Sequence, residues 1–313
     1  MTEQQKLREL LENSSHIVFF GGAGVSTESG ILDFRGPDGL FRTNSYGSTE
    51  SGILDFRGPD GLFRTNSYGS TESGILDFRG PDGLFRTNSY GSTESNIPDF
   101  RSEDGLYGSK QAKTYPYPPE TMLSHSFFKR HTEQFFEYYF DRMVYPQAKP
   151  NAAHYALAEL EAQGKLSAVV TQNIDGLHQQ AGSKRVYELH GSVLRNHCIR
   201  CGASYSLEQM LEYKGKGVPR CSCGGIIKPD VVLYEESLDS DLLEGAVRYI
   251  MAADLLIVGG TSLAVYPAAG LLQYYGGREL VLINKTETPY DRKASLVIRQ
   301  PIGKVLSKAV EGL

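Results

Sequence analysis

Short apolar runs that end in glycine or small polar residues are the feature that most constrains how this chain can fold. They are "HIVFFGGAG" at 16–24, "KLSAVVTQNID" at 165–175, "ADLLIVGGTSL" at 253–263 and "RELVLINK" at 278–285. Such runs are typical of strands buried on both faces of a parallel sheet. The intervening and following segments predict helices at 151–164, from Pro267 to Gly276, and at 301–313. This alternation predicts an α/β fold with a doubly wound, parallel, Rossmann-like sheet.

The turns after three of these runs, "GGAGVST", "TQNIDG" and "GGTSL", are candidates for a ligand site. In an open parallel sheet, ligands bind beyond the carboxyl ends of the strands. Gly22 and Gly24 permit the backbone to approach a pyrophosphate, and the helix that follows directs N–H groups at the anion. Three ordinary tight turns are the alternative, because "GAGVS" departs from the usual dinucleotide fingerprint after its second glycine.

Charge and hydropathy exclude some classes of protein. The net charge of −5 does not predict a general nucleic-acid binder, and no apolar run reaches the length of a membrane span. The first fifteen residues are polar, with Leu7, Leu10 and Leu11 at helical spacing, and do not resemble a signal peptide. We therefore expect a cytoplasmic protein.

The cysteines form one cluster. Cys198 and Cys201 make a Cys-x-x-Cys pair, and Cys221 and Cys223 make a Cys-x-Cys pair. In a reducing compartment such a cluster favours metal over disulfides, with buried free thiols as the alternative. Four sulfur ligands make a closed tetrahedral zinc site with no open position. We predict one structural Zn in a small lobe at 195–228, which interrupts the alternation of strands and helices.

A 22-residue unit, "STESGILDFRGPDGLFRTNSYG", occurs three times without change at 26–47, 48–69 and 70–91. An altered version, "STESNIPDFRSEDGLYGS", begins at Ser92. A solenoid is one interpretation, but the unit has no regular leucine ladder and little apolar surface to stack on a neighbour. A recent tandem duplication or an error of sequence assembly explains the identity of the copies better. We interpret 26–91 as an insertion, because "FFGGAGV" reads on directly into the altered version.

Two more segments can carry chemistry. "YELHGS" places His190 where the sheet passes into the cysteine lobe, and a neutral imidazole there can accept a proton near pH 7. A structural histidine is the alternative. In "NIPDFR", an aromatic ring and a guanidinium can cover a nucleotide by stacking and by charge, whereas a surface loop is the plainer reading.

Together these residues resemble one family, the sirtuins, which are NAD-dependent protein-lysine deacylases. The matching motifs are, in order, "GAGVST", "ESNIPDFR" with "DGLY", "TQNIDGLH", "ELHGS", the two cysteine pairs, "KPDVVLYEE", "GGTSL" and "LIN". They cover essentially the whole chain outside 26–91. Without that insertion the chain is short, and with "PYDRKASLVI" near its end it looks like a bacterial member of the family. The resemblance implies NAD as co-substrate, one structural Zn, and acetylated-lysine proteins or peptides as substrate, without nucleic acid or membrane.

The resemblance also implies roles for individual residues. His190 would be the general base, with Asn173 as a second catalytic residue, and Asp175 would hold the nicotinamide carboxamide. The residues that would bind the cofactor are Ala23, Gly24, Thr27, Gln172, Ile174, Asp175, His190, Gly260, Thr261, Ser262 and Asn284. A substrate peptide would add as a strand along Val231, Val232 and Tyr234.

The family needs one Asp-Phe-Arg loop, and this chain has four. The two candidates are Asp33, Phe34 and Arg35 in the first copy, and Asp99, Phe100 and Arg101 in the altered version. In the first arrangement about 36–91 would loop out, and in the second 26–91 would do so. Loop closure costs only a few kcal/mol even for long insertions, so the core could survive either arrangement.

The resemblance further implies a division of the chain. Residues 1–25, 140–194 and 229–313 would form the Rossmann-like NAD-binding domain, and 195–228 the zinc lobe. The tandem insertion would occupy 26–91, followed by a cofactor-binding loop and helical segment at 92–139.

The expected reaction yields free lysine, nicotinamide and O-acyl-ADP-ribose. We expect acetyl-lysine rather than succinyl-lysine as substrate. The alternatives are an NAD-binding member made inactive by the insertion, an NAD-linked oxidoreductase, and a zinc-ribbon nucleic-acid binder. The last rests on the lobe's basic residues, Arg195, Arg200, Lys214, Lys216, Arg220 and Lys228.

Overall fold

The structure of the protein is a computed structural model that describes residues 2–29, 31, 115–264 and 266–313. Both candidate Asp-Phe-Arg loops, at 33–35 and 99–101, lie outside the described residues, as does almost all of the repeated segment.

The strands of the described chain form two sheets. They are β1 (Ile17–Gly21), β2 (Leu166–Thr171), β3 (Val186–Glu188), β4 (Gly191–Cys198), β5 (Ser204–Ser206), β6 (Ile227–Val231), β7 (Leu255–Gly259), β8 (Glu279–Ile283) and β9 (Leu296–Ile298). Within the described residues, the larger sheet has the parallel order β3-β2-β1-β7-β8-β9, and the smaller one has the antiparallel order β5-β4-β6. The larger order is typical of a doubly wound dinucleotide-binding fold.

The α-helices of the described chain cover both faces of the larger sheet and one side of the smaller. They are α1 (Glu3–Asn13), α2 (Pro119–Met122), α3 (His125–Arg130), α4 (Thr132–Arg142), α5 (Ala152–Ala162), α6 (Leu177–Gln180), α7 (Leu207–Leu211), α8 (Ser240–Ala252) and α9 (Ile302–Val310). Among the described residues, none of the helices combines the length and the apolar composition that a membrane span needs.

The core of the larger sheet has two layers, and β1 contributes to both. Ile17 and Phe19 belong to the cluster that α1, α5 and α9 cover, whereas Val18 and Phe20 belong to the cluster beneath α8. All four side chains are fully buried. Because successive strand residues point to opposite faces, an apolar run such as "IVFF" can be buried only between two layers of helices.

The cysteine segment forms a second unit of packing. Its strands share a hydrophobic cluster with α2, α3 and α4, in which aromatic rings such as Phe128, Phe135 and Tyr139 pack edge to face or stack. Tyr139 and Phe135 lie in one helix four residues apart, with ring centroids 6.0 Å apart. This aromatic core supports the smaller sheet from below.

The predicted α/β fold with a small cysteine lobe is confirmed, and one predicted helix has a different form. The segment expected as an α-helix between Pro267 and Gly276 is a 3-10 helix at Ala268–Tyr274. Gly270 lies in its middle, and glycine weakens an α-helix by about 1 kcal/mol relative to alanine. The short strands β3 and β9 and the long helix α8 were not predicted from the sequence.

Candidate functional site

Two glycine turns meet at the carboxyl edge of the larger sheet. The Gly24 amide after β1 donates to the Gly260 carbonyl after β7 over 2.8 Å. A Cβ atom on Gly24 would lie 2.8 Å from Gly260 Cα, and one on Gly22 would lie 2.8 Å from Thr261 Cβ. Gly260 also has a φ of 60°, which favours glycine. The sequence therefore needs glycine here so that two neighbouring turns form one continuous surface.

A buried hydroxyl joins this surface to the turn after β2. Ser26 Oγ donates to Asp175 Oδ2 over 2.6 Å and accepts from Asn173 Nδ2 over 2.9 Å. The other carboxylate oxygen of Asp175 accepts from the Leu177 amide over 2.9 Å. Burial raises the pKa of the Asp175 carboxyl above its ordinary value, while the hydrogen bonds from Ser26 and Leu177 lower it. The carboxyl is thus held rigidly in a poorly solvated place.

The imidazole of His190 lies against the same turn. Its Nδ1 atom is 3.0 Å from the Gln172 carbonyl oxygen, which can only accept, so Nδ1 carries the hydrogen. The Nε2 atom of the neutral ring is then free to accept a proton. Burial lowers the pKa of His190 below its ordinary value, and the hydrogen bond to Gln172 opposes that shift. The ring is therefore neutral, and basic at Nε2, near pH 7.

Polar side chains also connect the turns after β2, β7 and β8. Gln172 Nε2 donates to Thr261 Oγ1 over 3.1 Å. Asn284 accepts from the Thr261 amide over 3.1 Å and donates to the Thr261 carbonyl over 2.7 Å. Ser262 is exposed beside them. These contacts fix the backbone of the β7 turn and leave a hydroxyl facing outward.

The segment after β1 is held by the predicted residue Thr27 and by two residues, Asn151 and Ser26, that were not predicted. Thr27 Oγ1 donates to the Gly24 carbonyl over 2.9 Å. Asn151, which caps α5, donates to the Val25 carbonyl over 2.7 Å. Ser26, fully buried, was also missed. The signal for Ser26 was present in the sequence, as a hydroxyl two residues past a glycine turn, but its partners lie far away in the chain.

The predicted site residues of the described chain thus come together at one edge of the sheet. Ala23, Gly24 and Thr27 follow β1, the run from Gln172 to Asp175 follows β2, and Gly260, Thr261 and Ser262 follow β7. Ile174 is partly buried, and its carbonyl accepts from the Val193 amide of β4 over 2.9 Å. His190 lies just before β4, so its imidazole stands between the sheet and the cysteine lobe.

The four cysteine sulfurs form a compact cluster that fits one metal ion. All four Sγ atoms lie within 4.8 Å of one another, with Cys198 and Cys223 3.5 Å apart and Cys201 and Cys221 3.6 Å apart. None is in a disulfide. Zinc–sulfur bonds of about 2.3 Å in a tetrahedron place sulfurs about 3.8 Å apart, close to these distances. The cluster therefore fits a closed zinc site that has no open position for substrate.

The segment after β6 lies beside His190. The Val232 amide donates to the His190 carbonyl over 3.0 Å. Tyr234 is tied to the helices, since its amide donates to Leu123 over 3.0 Å and its carbonyl accepts from His125 over 2.9 Å. Val231 is buried and Tyr234 is exposed. The predicted groove residues are thus fixed at both ends.

Several basic residues of the lobe are used inside it. Arg200 donates to the Cys223 carbonyl over 2.7 Å, and Arg220 to the Gly224 carbonyl over 3.3 Å. Lys228 lies 3.2 Å from a carboxylate oxygen of Glu236. These residues support the cysteine turns and the segment after β6. Because their charges are used inside the protein, the alternative of a zinc-ribbon nucleic-acid binder is weakened.

Comparisons with known proteins agree with this arrangement. A sequence model described as "Sir2 family" matches residues 91–267. A protein of Clostridium acetobutylicum named "NAD-dependent protein deacetylase" is 61% identical over 306 residues, which cover 97% of each chain. A solved structure described as "Structural Basis for the Mechanism and Regulation of Sir2 Enzymes" is 33% identical, with a TM-score of 0.70, and the match covers 99% of this chain and 96% of that one. Another, "Sir2-p53 peptide-NAD+", is 32% identical, with a TM-score of 0.67, over 99% of this chain and 98% of that one.

The structure brings together the glycine turns, the Asp175 carboxyl and the neutral imidazole, and it also has the four-thiol cluster. Relatives that match over nearly their whole length are similar in sequence. The chain belongs to the Sir2 family.

Proposed function

We propose that this chain is an NAD-dependent protein-lysine deacetylase that acts on acetylated peptides or proteins. The observation that carries the proposal is the junction at the carboxyl edge of the larger sheet. There the Ser26–Asp175–Asn173 network lies beside an imidazole whose Nε2 can accept a proton. The name "NAD-dependent protein deacetylase" of a relative 61% identical to this chain supports the same activity.

The residues at this edge fit NAD. Gly24, with Ala23 and Thr27, would present a close backbone turn to the pyrophosphate, and Thr261, Ser262 and Asn284 would lie on the adenosine side. Gln172, Ile174 and Asp175 would hold the nicotinamide half, and Asp175 would accept from its carboxamide. When bound, NAD supplies a reactive glycosidic bond and the ribose that finally carries the acetyl group.

His190 would be the general base for transfer of the acetyl group. Because its Nδ1–H is held by the Gln172 carbonyl, its Nε2 would be the atom that accepts a proton from a ribose hydroxyl and later gives it up. Asn173 is buried and donates to Ser26, which keeps Asp175 in place through the same hydroxyl. We therefore expect the imidazole to be needed for transfer of the acetyl group rather than for the loss of nicotinamide.

Zinc is structural in this proposal, because four sulfur ligands leave no open position. We also propose the division of the chain into an NAD-binding domain at 1–25, 140–194 and 229–313, and a zinc lobe at 195–228. Reduced cysteines in a metal cluster favour a cytoplasmic location.

Of the two candidate Asp-Phe-Arg loops, the one in the altered version is favoured as the cofactor-binding loop. The range that matches the Sir2 family begins at residue 91, so it contains Asp99, Phe100 and Arg101 and excludes Arg35. Arg101→Ala should therefore abolish most NAD-dependent activity, whereas Arg35→Ala should leave it unchanged. The opposite pattern would assign the site to the first copy, and no effect of either change would exclude both.

The proposal is tested by incubating the full chain with NAD and an acetylated peptide. Deacetylated peptide, nicotinamide and O-acetyl-ADP-ribose should appear in equal amounts, measured by mass spectrometry. Growth of NADH absorbance without these products would point to an oxidoreductase instead. Calorimetric binding of NAD with no turnover would indicate an inactive member, and succinylated peptide in place of acetylated peptide tests the acyl preference.

A further inference from the structure

Arg195 joins two acidic residues that lie on either side of the His190 turn. Its Nη1 donates to Glu188 Oε2 over 2.7 Å, and its Nε donates to Asp230 Oδ2 over 3.0 Å. The Glu188 side chain is only 6% exposed, whereas those of Arg195 and Asp230 are about half exposed. A carboxylate buried to this extent needs a charged partner, and Arg195 is the partner that contacts it.

The positions of these three residues connect the base to the predicted peptide groove. Glu188 ends β3, two residues before His190. Asp230 pairs with Ser192 in the smaller sheet and comes directly before Val231, where the groove begins. Arg195 therefore holds together the chain that enters the His190 turn and the chain that leaves the lobe for the groove.

The backbone around this tie is unusually close. Gly191 has a φ of 77°, and a Cβ atom there would overlap the Asp230 carbonyl oxygen. The His190 carbonyl accepts from the Val232 amide over 3.0 Å. One hydrogen bond thus joins His190 to the predicted peptide groove at Val232. A small displacement between these two segments would move the imidazole relative to a bound peptide.

An irregularity in β4 places Arg195 where it can make both contacts. The register between β4 and β6 shifts between Ser192 and Asn196. In this stretch the Val193 amide donates to the Ile174 carbonyl, in the turn after β2, over 2.9 Å. The same short stretch of β4 therefore contacts the nicotinamide side of the site and carries the arginine.

We propose that Arg195 is a positioning residue that fixes His190 relative to the peptide groove through its paired contacts with Glu188 and Asp230. This inference rests on the proposed deacetylase function. It predicts that loss of Arg195 affects the step that uses the imidazole more than the step that releases nicotinamide.

The test compares two activities of the full chain in the same variants. One is deacetylation of an acetylated peptide, and the other is exchange of labelled nicotinamide into NAD in the presence of that peptide. In Arg195→Met, deacetylation at saturating substrate should fall about 10- to 100-fold, because misplacement by about 1 Å has that cost, while exchange should fall less than about threefold. Arg248→Met, which removes an exposed arginine paired with Glu244 on α8, is the matched control and should change neither.

A conservative variant and a double variant separate positioning from misfolding. Arg195→Lys keeps the charge but cannot reach both carboxylates with a forked donor, so its deacetylation should lie between wild type and Arg195→Met. The double variant Glu188→Gln, Arg195→Met removes the buried charge with its partner. It should recover the melting temperature while keeping the low ratio of deacetylation to exchange.

Hydrogen–deuterium exchange of the protein without NAD supplies a readout that does not depend on activity. The Val232 and Val193 amides should exchange faster in Arg195→Met than in wild type or in Arg248→Met. The inference would be overturned if deacetylation and nicotinamide exchange fell equally in the arginine variants. It would also be overturned if hydrogen–deuterium exchange of the Val232 and Val193 amides were unchanged. If wild type shows neither activity, the proposed function fails, and the amide exchange still decides whether Arg195 holds this junction.

Discussion

At the scale of single residues, the site depends on which buried polar atoms have partners. Ser26 is fully buried and uses its hydroxyl as both donor and acceptor, to Asp175 and from Asn173. If the hydroxyl were absent, a carboxylate oxygen and an amide would lose their partners in a poorly solvated place. A lost hydrogen bond to a charged group costs about 1.5–3 kcal/mol.

Ser26→Ala is therefore expected to reduce the catalytic efficiency with NAD by about 10- to 100-fold, which corresponds to that free energy. The change should appear in kcat/KM for NAD, measured at a saturating concentration of acetylated peptide. Ser307→Ala is the control, because Ser307 makes one long hydrogen bond within α9 and should have no effect. Equal activity of Ser26→Ala and wild type would contradict the role of the network.

The pH dependence of the reaction follows from His190. The base must be neutral, and burial lowers its pKa below the ordinary value, so the imidazole remains neutral to more acidic pH than a free histidine. Deacetylation should be constant near pH 7 and fall as pH drops through the lowered pKa, with an acidic limb centred below about 6.5.

The measurement is the pH profile of kcat/KM for deacetylation, with nicotinamide exchange as the comparison. The exchange reaction should lack this limb, because it does not use the imidazole. An acidic limb centred above the ordinary histidine value would show that His190 is not the titrating base.

At the scale of elements, the cysteine lobe depends on close packing around its four thiols. Gly225 has no Cβ atom, and an added one would lie 2.6 Å from both Cys198 Sγ and Arg200 Cβ. The Arg200 amide also lies 3.4 Å from Cys198 Sγ, as a hydrogen bond to the thiolate. The two cysteine turns therefore fit around a metal only if position 225 is glycine.

Gly225→Ala should lower the zinc content of the purified protein and its melting temperature together. Gly276→Ala is the matched control, since a Cβ atom at Gly276 meets nothing within 4 Å. Metal analysis and thermal unfolding, each with and without a chelator, would measure both effects. Full zinc occupancy in Gly225→Ala would contradict this account of the lobe.

At the scale of the whole molecule, two buried histidines make stability depend on pH. His154 in α5 and His178 in α6 are almost completely buried, with ring centroids 4.7 Å apart. Within the described part of the chain, His154 Nε2 and both ring nitrogens of His178 have no hydrogen-bond partner. Burial lowers the pKa of His154 to about 4 and lowers that of His178 well below its ordinary value. The folded protein therefore cannot easily accept these two protons.

The free energy of unfolding should be constant above about pH 6.5 and fall below it, because the unfolded state binds protons that the folded state excludes. Each histidine contributes a slope of up to about 1.4 kcal/mol per pH unit, and the loss continues until the folded-state pKa is reached. Urea unfolding between pH 7 and pH 5 measures the slope.

His178→Phe should flatten this dependence, since one of the two titrating groups is removed. His16→Phe, at an exposed position, should leave the slope unchanged. The same slope in His178→Phe and wild type would show that other groups control the pH dependence.

Much of the fold and part of the site could be predicted from local patterns. The strands β1, β2, β7 and β8 were evident because apolar runs, glycine turns and their order reflect contacts between neighbouring residues. The cysteine pairs predicted a metal cluster for the same reason, since each pair is formed by a short turn. The 3-10 helix at Ala268–Tyr274 was less predictable, because a proline and glycines permit several kinds of turn.

The sequence by itself determined the central strands, the glycine turns that follow them and the cluster of four thiols. Each of these depends on residues close together in the chain. Only the tertiary structure decided that Ser26 joins Asp175, that Arg195 lies between Glu188 and Asp230, and that two histidines share one buried space. These contacts join residues from separate elements, in one case 149 positions apart. They exist because folding brings distant segments into contact, and residue spacing along the chain does not predict such contacts.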